Sequence, residues 1–150
     1  MKVLVVYDSV YGNTEKIARA IGEGIVSDAR VVHANKAGPA DLKDIDLLIV
    51  GAPTQGGRPT PAMQGFLKNI SEQDIDGTDV ASFDTRISAK WVGIFGYAAG
   101  RISKDLKKKG GNLILPPEPF FVKATRGPLK DGELERATAW AKNVLKSHKP

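Results

Sequence analysis

The segment Lys2–Tyr7, KVLVVY, constrains the fold more than any other part of the chain. Val3, Leu4, Val5 and Val6 follow one another with no polar alternation, the pattern of a strand covered on both faces inside a parallel sheet. A helix follows almost at once. Over Thr14 to Val26 the residues Ile17, Ala18, Ile21 and Ile25 recur at helical spacing, with Asn13 or Thr14 as candidate cap. A buried strand feeding an amphipathic helix is the opening half of a βαβ unit, so the rest of the chain must supply further strands beside it.

It does so in alternation. Ala29–Ala34 and Asp46–Ala52 read as strands two and three, Pro61–Ile70 as a helix, and Val80–Phe83 as strand four. Ala98–Lys109 reads as a helix stopped by Gly110-Gly111, Asn112–Lys123 as a proline-interrupted fifth strand, and Glu133–Ser147 as a closing helix with Leu134, Ala137, Ala141, Val144 and Leu145 inward. The expectation is one α/β domain over residues 1–150, a doubly wound sandwich with right-handed crossovers and no internal repeat or linker. Ligands in such sheets bind beyond the carboxyl ends of the strands, which directs attention to the loops after strands one, three and four.

Composition narrows the chemistry. With no cysteine, the chain has no disulfide, thiolate metal site or thiol nucleophile, and His33 and His148 are its only imidazoles. Neither has neighbours at metal-ligand spacing; His33 reads as structural or exposed, and residues 146–150 as a frayed tail. No apolar run approaches the roughly 18 residues of a membrane span, and the apolar start is too short for a signal-peptide core, so a cytoplasmic protein is expected. The net charge of +5 permits attraction to acidic partners, but Lys104, Lys107, Lys108 and Lys109 at helical spacing, without interleaved aromatics, read as a solvated face rather than a nucleic-acid site.

The loop after strand one is Asp8-Ser9-Val10-Tyr11-Gly12-Asn13-Thr14. Ser9, Tyr11, Asn13 and Thr14 supply neutral donors, Gly12 lets the backbone close on a ligand, and the N–H groups of the helix start face an anion. It lacks the Gly-Lys-Ser/Thr ending of a triphosphate loop and the three spaced glycines of a dinucleotide loop, so a monophosphate fits it better; a tight turn with a helix cap is the plainer alternative. Two prolines and two glycines punctuate Pro53-Thr54-Gln55-Gly56-Gly57-Arg58-Pro59 after strand three. The third loop starts at Asp84-Thr85-Arg86 and passes Trp91, Phe95, Gly96 and Tyr97, aromatics that serve either as core plugs or as stacking groups. A phosphoryl-accepting regulator needs clustered aspartates at the strand ends and a lysine after the fifth strand, but Asp8 has no acidic neighbour at the end of strand one and the Asp84 loop continues into Thr85-Arg86.

Together these residues resemble the flavodoxin family. The signature Ser/Thr-x-Thr/Ser/Tyr-Gly-Asn-Thr-Glu stands here as Ser9-Val10-Tyr11-Gly12-Asn13-Thr14-Glu15, with strand and helix on the correct sides. Gly51-Ala52-Pro53-Thr54-Gln55-Gly56 falls at the family's first isoalloxazine loop and Asp84–Tyr97 at its second. Residues 83–86, Gly127-Pro128-Leu129 and the segment from Gly132 to Ala137 look like a less familiar branch. The resemblance implies a five-stranded parallel sheet of order 2-1-3-4-5 with flavin mononucleotide (FMN) at the switch point. It implies FMN contacts from Ser9, Val10, Tyr11, Gly12, Asn13 and Thr14, from Pro53, Thr54, Gln55, Gly56 and Gly57, and from Asp84, Thr85, Arg86, Trp91 and Tyr97.

The function so implied is a monomeric electron carrier between a reductase and an acceptor enzyme, with no catalytic residue, no nucleic acid and no membrane span. The peptide between Gly56 and Gly57 would rotate to offer the Gly56 carbonyl to the flavin N5 of the half-reduced cofactor. The alternatives are an FMN-dependent NAD(P)H:quinone or nitro-compound reductase, for which the chain lacks a long insertion, and a flavodoxin-like interaction module without cofactor. The chain departs from familiar flavodoxins where Gln55, Gly57 and Arg58 replace bulky and acidic residues. With Arg58 and Arg86 near the ring, the second one-electron potential is expected to be less negative than in acidic flavodoxins.

Overall fold

The computed structural model describes residues 1–26, 28–88 and 97–148. Its strands are β1 (Lys2–Tyr7), β2 (Asp28–His33), β3 (Leu47–Pro53), β4 (Asp79–Ile87), β5 (Asn112–Leu113) and β6 (Glu118–Val122). The helices are α1 (Asn13–Gly24), α2 (Pro61–Asn69), the single turn α3 (Glu72–Ile75), α4 (Ala98–Lys108) and α5 (Glu133–Ser147). All strand pairings among the described residues are parallel, in the order β2-β1-β3-β4-β5, the doubly wound order that the resemblance implied.

Strand β1 lies at the centre because its residues are apolar on both sides. Val3 and Val5 enter one core with Ile17, Ile21, Phe83 and Trp140, beneath α1 and α5. Leu4 and Val6 enter the other with Met63, Phe66, Ile102 and Leu106, beneath α2 and α4. Each fully buried side chain of this kind contributes about 1.5–3 kcal/mol. Phe83, Phe120 and Trp140 meet edge to face with centroids 6.0–6.1 Å apart. Gly51 lies beneath them, where a Cβ would run into the Phe83 ring.

Four expectations change. Strand four continues to Ile87, so Asp84, Thr85 and Arg86 are strand residues rather than loop residues; polar side chains extend the strand because Asp84 is fully buried and paired. The fifth strand is two pieces, since Pro116 and Pro117 break it; β5 pairs with Asp79 and Val80, and β6 with Phe83 to Ile87 along the same edge of β4. Leu134 points outward at 42% exposure, because α5 buries Ala137, Trp140, Ala141 and Val144 instead. His148 is not frayed: its Nδ1 lies 2.7 Å from Asp79 Oδ2 and ties the end of α5 to the start of β4.

The lysine cluster stands as read at Lys104, Lys107 and Lys108, which are exposed. Lys109 is half-buried and donates to Asp105 and to the Leu67 carbonyl. On the opposite layer Arg136 clamps α5 to β6, bonding Glu118, Glu133 and the Pro119 carbonyl while lying 4.4 Å over the Phe120 ring.

Candidate cofactor-binding site

The helices α1, α2 and α4 follow β1, β3 and β4 at the carboxyl edge of the sheet, and they differ in what satisfies their first N–H groups. Thr60 Oγ1 accepts from Met63 N at the start of α2. At α4, Thr54 Oγ1 accepts from Ala98 N at 3.0 Å and Asp84 Oδ2 from Ala99 N at 3.0 Å. At α1 the cap is Gly12, at φ 93°, and among the described residues no side chain bonds the first turn. The expectation that Asn13 or Thr14 caps this helix therefore fails: Asn13 and Thr14 lie inside it, and their side chains bond other segments. Its N-terminus, carrying the positive end of the helix dipole, is the one of the three left open to an anion.

Within the loop, Ser9 Oγ accepts from Gly12 N at 3.0 Å and so sets the turn. Thr14 Oγ1 meets Thr85 Oγ1 at 2.7 Å in the interior, linking the loop to β4. Asn13 Nδ2 donates to the Arg126 carbonyl at 3.2 Å. Beside the loop, His33 Nε2 lies 2.9 Å from Asp8 Oδ1 and edge-on to Tyr7, which makes His33 structural. Burial, followed by the Glu15 carboxylate, raises the Tyr7 phenol above its ordinary pKa.

The loop after β3 is a two-residue hairpin. Gln55 and Arg58 exchange both backbone hydrogen bonds, at 2.8 and 3.0 Å, and Gly56 and Gly57 between them have φ 57° and 79°. Positive φ at both central positions is the type I′ turn, which residues with a Cβ adopt only under strain. Arg101 Nε holds the Gly57 carbonyl at 2.7 Å.

Between the α1 loop and this hairpin opens a cleft of about 350 Å³. Among the candidates, Val10, Tyr11, Asn13 and Thr14 line it from one side, Pro53, Thr54, Gln55, Gly56 and Gly57 from another, and Thr85 and Arg86 from the floor. Ser9 and Gly12 shape the loop behind the lining. Asp84 is buried beneath it, and Tyr97 is placed behind Arg86, whose guanidinium carbon lies 3.3 Å from the ring centroid. Trp91, Phe95 and Gly96 lie outside the described residues.

Ile87, Val122 and Thr125 line the cleft without having been singled out. They arrive through the extra length of β4, through the end of β6 that pairs with it, and through the segment after β6, which packs on Asn13 at a sequence separation of 113 and left no local signal. The same segment brings Arg126 to 5.7 Å over the Tyr11 ring, a cation beside a loop that otherwise offers neutral donors.

An open helix N-terminus, small hydroxyl residues and an apolar slot fit a ligand with a phosphate at one end and a flat ring at the other. The family model named Flavodoxin matches residues 5–140. The chain belongs to the flavodoxin family. The flavodoxin of Aquifex aeolicus is 34% identical over 99 residues, which cover 61% of this chain and about half, 52%, of that relative. Flavodoxin 1 of Salmonella typhimurium is 26% identical over 93% of this chain and 90% of its own length. A flavodoxin structure from the domain Archaea superposes with a TM-score of 0.83 over 100% of both chains at 24% identity, a likeness of fold. Flavodoxins are small FMN-binding electron-transfer proteins, so the cofactor and function classes implied by Ser9 to Glu15 hold for this chain.

Proposed function

We propose that this chain is a monomeric cytoplasmic carrier that binds FMN in the cleft and passes electrons one at a time from a reductase to an acceptor enzyme. The observation that carries the reading is the uncapped start of α1 facing the same cleft as the Gly56–Gly57 hairpin. Bound FMN would supply the redox chemistry, accepting and releasing single electrons at its ring.

The chain's residues then have separable tasks. The backbone N–H groups of the first turn of α1 and the Thr14 hydroxyl hold the phosphate, while Ser9 fixes the turn that presents them. Pro53 to Gly57 and the Thr85–Ile87 end of β4 flank the ring. No carboxylate or imidazole lines the cleft among the described residues, which suits a site that positions and tunes a cofactor rather than one that moves protons on a substrate.

Titration of the purified protein with FMN and with riboflavin tests this. FMN is expected to bind at one site and more tightly than riboflavin; equal affinity for the two would place the phosphate elsewhere. Sedimentation of the FMN-loaded protein checks the monomer.

A further inference from the structure

The positive charge of this chain is concentrated on one layer. Residues 53–70 and 98–109, which hold the hairpin, α2 and α4, carry seven cations and a single carboxylate, Asp105. The opposite layer is nearly balanced: α1 sets Lys16 and Arg19 against Glu15 and Glu23, and α5 sets Arg136, Lys142 and Lys146 against Glu133 and Glu135.

Between α2 and α4 a groove of about 280 Å³ adjoins the hairpin, lined by Arg58, Lys68, Arg101 and Asp105 with Gln64 between them. Asp105, its only carboxylate among the described residues, is engaged by Lys109 at 2.9 Å. Arg101 is fixed to the Gly57 carbonyl, so its guanidinium sits against the turn that borders the cleft. Exposed Lys104 stands one turn further along α4.

We propose that this groove is the docking surface for a redox partner whose contact face is acidic, seated so that its redox centre meets the hairpin edge of the cleft. The proposal rests on the electron-carrier reading above. A field of one sign beside a redox centre raises the encounter rate of oppositely charged partners and is screened by salt. The exposed cations approach from three elements, which gives a partner an orientation as well as an attraction.

Two measurements on the purified FMN-loaded protein test it. In the first, a decaglutamate peptide is titrated while backbone amide shifts are followed by NMR. Shifts are expected at Arg58, Lys68, Arg101 and Lys104; shifts centred on Lys142 and Lys146, or none, would overturn the proposal. In the second, the reduced protein is oxidised by ferricyanide or by hexaamminecobalt(III), each accepting one electron from the flavin. Ferricyanide oxidation should slow by on the order of ten-fold between about 20 mM and about 500 mM salt, and hexaamminecobalt(III) oxidation should quicken.

Lys68→Glu with Lys104→Glu should lower the low-salt ferricyanide rate about three- to ten-fold, while Lys142→Glu with Lys146→Glu leaves it near native. Equal losses in both double variants would show that net charge acts without the groove. Tighter binding of a duplex oligonucleotide than of the acidic peptide would replace the protein partner with a nucleic acid. If the protein holds no flavin, the carrier reading fails, while the peptide titration still decides whether the groove takes an acidic surface.

Discussion

Arg86 grips Asp84 at two points, with Nε 2.8 Å from Oδ1 and Nη2 2.6 Å from Oδ2, and lays its guanidinium on the Tyr97 ring. Asp84 is completely buried, and the Arg86 side chain is 13% exposed. The pair corrects the expectation that Arg86 adds positive charge near the flavin, because its charge is met within the same strand.

Breaking one half of such a pair leaves a buried charge alone, which costs about 3–5 kcal/mol. Arg86→Met should therefore destabilise the protein by about that much, and adding Asp84→Asn should recover a large part of the loss. Urea unfolding of the two variants checks this; a single-variant cost below about 1 kcal/mol would mean that Asp84 does not depend on Arg86.

Arg58 is exposed on the hairpin and keeps its influence on the ring only through solvent. Arg58→Glu is expected to move the second one-electron potential negative by about tens of millivolts at low salt and by less at high salt, while the Asp84→Asn, Arg86→Met pair leaves it near native. A larger shift from the double variant than from Arg58→Glu would reverse the assignment.

In the hairpin, rotating the Gly56–Gly57 peptide would keep Gly56 at positive φ and carry Gly57 from its present 79° to negative φ, converting type I′ to type II′. The two glycines thus differ. Gly56→Val strains both arrangements, by about 1–3 kcal/mol, and so does not select between them. Gly57→Ala opposes only the present one. It should widen the separation between the two one-electron potentials if the rotation accompanies the first electron; an unchanged separation would place the N5 hydrogen bond elsewhere.

Thr14→Ala should weaken FMN by about 1.5–3 kcal/mol through the charge-assisted bond lost, and riboflavin little, while adding Ser9→Ala should weaken FMN further by releasing the turn that Ser9 holds at Gly12 N. Equal losses for both flavins would show that the variants disturb the Thr14–Thr85 link and the loop's shape rather than the phosphate contacts.

Glu133 accepts hydrogen bonds from Arg136 and from Phe121 N, and the Arg136 guanidinium, with the backbone bond as a further contribution, outweighs burial to lower its carboxyl pKa. A lowered folded-state pKa stabilises the fold above the unfolded value, and that stability is lost as pH falls through the folded value. Glu133→Gln should cost about 1–3 kcal/mol near neutrality and flatten the loss of stability on acidification below the ordinary glutamate range. An equally steep acid loss in the variant would assign it to other carboxylates.

The sheet was readable because β1 and β3 are continuous apolar runs, and the α1 loop because turn, donors and helix start are adjacent in sequence. The end of β4 was not, since Asp84, Thr85 and Arg86 look like loop residues until Asp84 is seen to cap α4 and hold Arg86. Val122 reaches the cleft through its pairing with Ile87, and Thr125 lies next to Arg126, whose carbonyl contact with Asn13 no local spacing encodes.

Stepwise reduction of the FMN-loaded protein, followed by its absorbance spectrum, tests the central claim most directly. The account predicts stoichiometric flavin reduced in two resolved one-electron steps. A protein that binds no flavin, or one reduced in a single two-electron step with no intermediate absorbance, would contradict it.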